Sequence, residues 1–474
     1  MAEWKNWAET VQYKKLEKKY TPENLEELRD CVLEARKNGW KLRAVGAGHS
    51  WSNLGLPGDA GGAVISMEDM PKIFNIIESP RNGEGIVEVG GGLTIDEMNK
   101  SLHRANLALF NMGDANPQLV MGAISTETHG SGVRHPGSTD SVGSLSECVE
   151  SMTLVRSNGE VHTLSDESLG NMPAALPAGR LSLGKLGAIY CARLRVRPSY
   201  FLDHTQKLVT FNEMSEGPHI EALLKDKSVR HFEYWHYPHT DKAERIERRL
   251  TTGELKEIDP LKLTDEWFIK ASSSFFANSG ARNPEGIPAF INNVMKKQPE
   301  TFEIPLRRGP WHKILVGKSN VWRKVVKTYT MEYQFPYSQL WPVFNEYLES
   351  IEKAKVDKKV YAAPPNQIRF SQKSERSYLT NLIHEPTVSF SISFFRNHRG
   401  AHAWMPDLEQ RFLKYGARPH LGKMYYQPPI FDPVQKQKFD QVRQALDATG
   451  MFAFEQQAYE PDTKVLRKSR GSRR

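Results

Sequence analysis

Apolar residues at helical spacing alternate with short strand-like runs through the first two hundred positions. In TPENLEELRDCVLEARKNG, residues 21–39, Leu25, Leu28, Val32 and Ala35 fall on one face, the period of a helix that packs by one side. Thr21 is the expected cap, Pro22 the first-turn residue and Gly39 the stop. WKLRAVGAG follows as a strand that runs into a glycine loop. A second helix, LTIDEMNKSLHRANL, is begun by Thr94 and carries Ile95, Met98 and Leu102 on one side. AVISM at 63–67 and GIVEV at 85–89 read as strands, the latter ending in Gly90, Gly91 and Gly92. CVESMTLVRS and EVHTLS form a hairpin turned at Asn158–Gly159. LSLGKLGAIYCARLRVRP then sets Gly184 and Gly187 before an apolar strand. This cadence predicts an α+β or α/β lobe closing near Pro198.

From about residue 200 aromatic and long polar segments take over. KTYTMEYQFP reads as a strand, followed after Pro336 by an amphipathic helix with Leu340, Val343, Phe344, Tyr347 and Ile351 facing inward. APPNQIRFSQ and TVSFSISFFRN read as alternating strands, as in an antiparallel sheet with one polar face. A loop-rich stretch occupies about 250–310. No internal repeat is present.

At 474 residues the chain exceeds what one core usually serves, so a two-lobed molecule is expected. The composition, 39% hydrophobic and 25% charged, is that of an ordinary globular protein. Part of the +8 net charge sits in KVLRKSRGSRR, a solvated tail at about 464–474; no aromatic platform accompanies it, which argues against a nucleic-acid partner. Cys31, Cys148 and Cys191 have neither metal-like spacing nor an even count, so no metal site, no disulfide framework and a reducing compartment are expected. With no 18-residue apolar run and no apolar leader, the expectation is a cytoplasmic protein without a membrane span.

The chemistry begins at Val45–Trp51, reading VGAGHSW. Gly46 and Gly48 flank Ala47, so the chain can take positive φ and bring its N–H groups to an anion such as a phosphate, with His49 alongside. A second stretch, MGAISTETHGSG at 121–132, gathers small residues, hydroxyls and a histidine, which suits a backbone running tightly across a flat or anionic ligand. No GxGxxG with a downstream acid lies in a compact βαβ unit, which excludes a nicotinamide Rossmann enzyme.

Taken together, VGAGHSW, GAISTETHGSG at 122–132, LGKLGAI at 183–189, EYWHYPHTDKA at 233–243, QIR at 367–369 and RPHLGK at 418–423 resemble, in order, the vanillyl-alcohol oxidase and p-cresol methylhydroxylase (PCMH) flavoprotein superfamily. Within it the chain is most similar to the aldonolactone oxidase and alditol oxidase group. The resemblance implies an α+β fold: a two-lobed FAD-binding domain of PCMH type over residues 1–198, and a substrate or cap domain over 199–474 with an antiparallel sheet flanked by helices. It implies an FAD cofactor held by Val45, Gly46, Ala47, Gly48, Ser50 and Trp51, then by Gly122, Ser125, Thr126, His129, Gly130, Ser131 and Gly132, and finally by Gly187 and Ile189.

By the same resemblance His49 joins the flavin 8α-methyl group covalently. Some members add a cysteinyl link; Asn116 stands at that position here, which implies a single attachment. For His129 two readings stand, contact with the flavin ring or the holding of loop geometry. Arg369 and Lys423 occupy the family's pocket positions, where a fixed cation stabilises the charge of the reduced flavin. His420 orients Lys423 or binds substrate. Gln367 replaces the usual glutamate and hydrogen-bonds without accepting a proton at neutral pH. Leu421 stands where a tryptophan is common, and Ser391 and Ser393 where larger polar groups occur.

The implied activity is oxidation of an alcohol carbon of a sugar-derived lactone (gulono-, galactono- or arabinono-1,4-lactone type) or a polyol by hydride transfer to flavin N5. Molecular oxygen or another acceptor then takes the electrons. The change at Gln367 keeps a non-sugar alcohol or an amine open as substrate, and leaves proton removal to water, His420 or a further residue. Tyr234, His236 and Tyr237 have two readings, as a frame for a polyhydroxylated substrate or as core residues.

Overall fold

The computed structural model describes residues 2–58, 61–81, 83–133, 142–168, 172–215, 218–258, 284–297, 302–316, 327–395, 398 and 400–453. The basic tail, and residues 259–283 of the loop-rich stretch, lie outside them.

Three short strands open the chain, β1 (Ala2–Lys5), β2 (Gln12–Leu16) and β3 (Lys18–Tyr20). β1 and β2 pair antiparallel, and the loop between them lays Trp7 against the first glycine loop. The predicted helix runs Leu25–Lys37, buries Leu28, Val32 and Ala35, and is followed by Gly39 at φ +65°. Its cap is Asn24 rather than Thr21: the Asn24 side chain accepts from the Glu27 N–H at 3.0 Å, so Pro22 stays outside the first turn. The helix packs on β4 (Lys41–Val45) and β5 (Gly62–Ser66), which run parallel with β3 on the far side of β5.

An antiparallel sheet follows, built from β6 (Phe74–Arg81), β7 (Glu84–Gly90), β8 (Leu107–Ala108), β9 (Val149–Val155), β10 (Val161–Leu164) and β11 (Ala188–Pro198). Its order is β10-β9-β11-β7-β6, with β8 alongside β11. Thr94 begins the helix Ile95–Arg104 as the sequence predicts, capping it through a reciprocal box with Glu97, and the β9–β10 turn has Gly159 at φ +82°.

The second lobe is an eight-stranded sheet of β12 (Phe201–Thr210), β13 (Val229–His236), β14 (Lys242–Leu250), β15 (Ile304–Pro310), β16 (Thr328–Pro336), β17 (Ala363–Ser371), β18 (Thr387–Phe395) and β19 (Arg418–Pro419). Its order is β15-β12-β14-β13-β17-β18-β16-β19. One face carries Phe232, Tyr234, Ile368, Phe370, Phe390 and Tyr333 into a core with Phe344, Tyr347, Leu408 and Phe412 of the helices Leu340–Lys358 and Ala401–Leu413. Period-two alternation puts Glu332, Gln367, Arg369 and Ser391 on the other face. That polar face is buried, because the first lobe covers it: Ser371 Oγ donates to Gly130 O at 2.8 Å and Gln372 N to Gly132 O at 2.9 Å.

Tyr234, His236 and Tyr237 belong to the core. Tyr234 packs in the aromatic cluster, His236 lies edge-on to Phe344 and Tyr347, and the Tyr237 hydroxyl donates to Glu244 at 2.6 Å.

Residues 450–452 return to the first lobe. Leu42 N donates to Met451 O at 3.0 Å, and Arg43 Nη1 to Phe452 O at 3.1 Å. The remaining Arg43 N–H groups reach the carbonyls of Leu54, Leu183 and Gly184, so one buried guanidinium ties three separate segments to β4. Burial lowers the Arg43 pKa to about 10, which leaves it charged at neutral pH.

Candidate active site

Between the lobes lies a cleft with about 1330 Å³ of empty space, the open solvent at its mouth included. Val45, Gly46, Ala47, Gly48, His49, Ser50 and Trp51 form one wall. Gly122, Ser125, Thr126 and His129 form a second, Gly187 and Ile189 a third, and Arg369, His420 and Lys423 close it from the cap side. Gly91, at the end of β7, also reaches the wall.

The first loop is tight because Gly48 sits at φ +62°, with Asn6 Cα and Trp7 N 3.3 Å from where a Cβ would stand. Among the described residues, the main-chain N–H groups of Gly46, Ala47, Gly48 and Ser50 donate to no protein acceptor. Unpaired amides on a cleft wall suit an anionic ligand such as a diphosphate. The His49 ring stacks on Trp7 with centroids 5.1 Å apart and planes 11° apart. At the third wall Gly187 takes φ +148°; a Cβ there would fall 2.5 Å from Val155 O.

The second stretch is less extended than its composition suggests. Val120–Ser125 is a short helix, and Glu127 follows at φ +58°. Gly130, Ser131 and Gly132 do not line the cleft; this segment is bonded to the cap sheet, Gly132 bridging to His231. Asn116 turns its amide to Asp96 Oδ1 at 2.7 Å, and none of the three cysteines, all unbonded to one another, lines the cleft.

The electrostatic centre is Glu332 on β16, which the sequence reading passed over. Arg369 Nη2 donates to both Glu332 oxygens at 2.9 Å, His129 Nε2 lies 2.6 Å from Oε1, Ser391 Oγ donates to Oε2, and Lys423 Nζ is 4.0 Å from it. Burial would raise the Glu332 carboxyl, but Arg369, His129 and His420 hold it well below the usual carboxylate range. Burial would likewise lower Arg369; Glu332, Asp114 and Glu233 keep its pKa raised. Among the described residues Arg369 Nε has no acceptor, a buried donor on the cleft wall that a ligand oxygen would satisfy.

His420 and Lys423 reach this centre through a turn at the sheet edge. His420 N donates to Glu332 O, Lys423 N to His420 O, and Met424 N to Thr330 O. Gly422 N donates to His420 Nδ1 at 3.1 Å, so the neutral ring carries its proton on Nε2. Burial first, then His129, Lys423 and Arg369, lower the His420 pKa to about 3 against the pull of Glu332. The same turn holds the first loop: Trp51 N donates to Gly422 O and Ser52 Oγ to Leu421 O, each at 2.8 Å.

Gln367 stands one step back from the cleft. Its Nε2 donates to Asp114 Oδ2 at 2.7 Å, and Asp114 is on the wall. The structure therefore adds Arg43, Asp114 and Glu332 to the residues expected from sequence. Among the described residues His129, Glu332 and His420 also form a cluster with metal-ligand geometry, but the cations of Arg369 and Lys423 already neutralise its one carboxylate.

Comparison with known proteins agrees with this geometry. Residues 19–165 match a family described as an FAD binding domain, and residues 192–458 match D-arabinono-1,4-lactone oxidase. L-gulono-1,4-lactone dehydrogenase of Mycobacterium tuberculosis is 27% identical over 415 residues, 86% of either chain. D-arabinono-1,4-lactone oxidase of Saccharomyces cerevisiae is 26% identical, over 78% of this chain and 66% of that protein. In fold, the cholesterol oxidase of B. sterolicum superposes with a TM-score of 0.74 over 95% of both chains at 15% identity.

Proposed function

The chain belongs to the D-arabinono-1,4-lactone oxidase family, and from that premise we propose that it is an FAD-dependent oxidoreductase acting on an alcohol carbon of a sugar-derived 1,4-lactone or related polyol. The observation that carries this reading is the convergence of the first glycine loop, His49, Arg369 and Lys423 on one cleft. Residues 1–198 act as the FAD-binding domain and 199–474 as the cap that supplies the substrate side.

FAD bound here supplies a two-electron acceptor for the hydrogen leaving the substrate carbon. The amides of Gly46, Ala47, Gly48 and Ser50 hold its diphosphate, with Ser125, Thr126, Gly122, Gly187 and Ile189 along its length. His49 carries the covalent attachment to the 8α-methyl group. Arg369 and Lys423 stabilise negative charge as it develops, without reorganisation, because Glu332 and Trp51 hold them in place. The His420 Nε2–H donates to the substrate oxygen. His129 acts through Glu332, keeping Arg369 oriented.

Among the described residues no helix is long and apolar enough to cross a membrane; a cytoplasmic location, with oxygen or another acceptor taking the electrons, completes the reading.

Anaerobic mixing of the purified, FAD-loaded protein with L-gulono-, L-galactono- and D-arabinono-1,4-lactone, alditols, and unrelated alcohols and amines tests it. Bleaching by a lactone or alditol is expected. Bleaching only by a non-sugar alcohol or amine would transfer the scaffold to another substrate class. A flavin that stays yellow throughout would make this a binding protein.

A further inference from the structure

Alcohol oxidation breaks an O–H as well as a C–H bond, so the site needs a proton acceptor near the substrate oxygen. The titratable cleft-lining groups that belong to the cap's polar face or are bonded to it are Asp114, His129, Glu332, Arg369, His420 and Lys423. Arg369 and Lys423 are cations. His420 already accepts the Gly422 N–H at Nδ1 and carries its proton on Nε2. His129 has its Nε2 against Glu332 and its Nδ1 against Gly130 O, so neither nitrogen faces substrate. Glu332 accepts from Arg369 and Ser391 and contacts His129, an arrangement that stabilises its charged form and makes it a poor base.

Asp114 remains. It is on the cleft wall, nearly buried, and near enough to Arg369 to raise the arginine pKa. The residue that holds it is the one that departs from the family pattern: Gln367 Nε2 donates to Asp114 Oδ2 at 2.7 Å. A glutamate at 367 would set two carboxylates against each other; the amide instead donates a hydrogen bond to the one that is there.

We propose that Asp114 is the catalytic base of this enzyme and that Gln367 is its positioning residue, the pair replacing the acid expected at position 367. The inference rests on the lactone or polyol oxidation proposed above. The substrate O–H proton passes to the Asp114 carboxylate while the adjacent C–H hydrogen leaves with both bonding electrons for the bound FAD, giving the carbonyl product and protonated Asp114. Return of the flavin electrons to oxygen or another acceptor, and loss of the Asp114 proton to solvent, reset the site.

The test is anaerobic flavin reduction by a lactone that wild type turns over, followed from pH 5 to 9, together with the lactone Kd from flavin spectral shifts. Asp114→Asn is expected to retain FAD, bind the lactone within about threefold of wild type, reduce roughly 10²–10⁴-fold more slowly, and lose the acid limb of the rate profile. Gln367→Leu removes one hydrogen bond to the charged form, so the acid limb moves up by about one pH unit with the plateau rate nearly unchanged. Should Asp114→Asn lose FAD, the Gln367→Leu shift decides alone.

An Asp114→Asn enzyme reduced at the wild-type rate with the acid limb intact overturns the assignment. So does one that loses affinity a hundredfold but reduces normally at saturation, which would make Asp114 a binding group. An acid limb that Gln367→Leu leaves in place removes the positioning role. Wild-type flavin unreduced by every lactone and alditol would remove the oxidation reading itself, and this inference with it.

Discussion

Lys423 Nζ stands 4.1 Å from the centroid of the Trp51 ring, joining the cap's last motif to the first glycine loop through a cation–π contact. The ammonium is thereby fixed between an aromatic face and the Glu332 carboxylate, 4.0 Å away. Replacing it with a neutral chain of similar length leaves the packing and removes the charge. Lys423→Met should retain FAD and slow anaerobic flavin reduction at saturating lactone by about 10²–10³-fold, the size of one lost electrostatic donor. Reduction within threefold of wild type would mean that the charge serves only to hold the lobes together.

The Glu332–Arg369 pair predicts a stability effect separable from catalysis. Glu332→Gln keeps the shape but takes from a buried guanidinium the carboxylate it is bonded to, a change that costs about 3–5 kcal/mol. Urea unfolding of the FAD-loaded variant reads this. Because the folded Glu332 pKa is depressed, its contribution is fully present above the unfolded carboxyl value of about 4.3 and is lost only as pH falls through the lower folded value. Between pH 5 and 8 the difference between variant and wild type should be flat.

Glu127 predicts the opposite slope. Burial raises its pKa to about 8 even though the Thr380 hydroxyl and Asn381 N–H donate to it. The folded state therefore holds a proton that the unfolded state has released above about pH 4.3, and stability falls as pH rises toward the folded value. From pH 6 to 8 the loss is roughly 2–3 kcal/mol, at 1.36 kcal/mol per unit. Glu127→Gln should remove that slope; denaturation midpoints at pH 6 and 8 that shift equally in both proteins would place the proton elsewhere.

His49 gives a test visible by eye. Acid-precipitated wild-type protein should form a yellow pellet, and His49→Ala a colourless one over a yellow supernatant. A colourless wild-type pellet would leave FAD bound without the covalent link.

Legibility followed range along the chain. The strand into VGAGHSW, the helix start at Thr94 and the Asn158–Gly159 turn are written in a few neighbouring residues, and each forms where read. Arg369, His420 and Lys423 came from motif resemblance, and all line the cleft. Glu332 was illegible because its partners arrive from residues 129, 369, 391 and 420, and because its strand reads like any alternating run. Asp114 lies in a loop with no motif of its own; only the β17–β13 register, which sets Gln367 in place, makes it a neighbour of the cap. The strands at Ala2–Lys5 and Gln12–Leu16 were missed for a simpler reason: they are short and rich in charge.

The four carbonyls gathered by Arg43 have a bearing on biosynthesis. One belongs to Phe452, 409 positions further along the chain, so the wall beneath the first glycine loop is finished only after the ribosome has passed that point. A nascent polypeptide that has not yet released residue 452 therefore holds this seat with one of its braces missing.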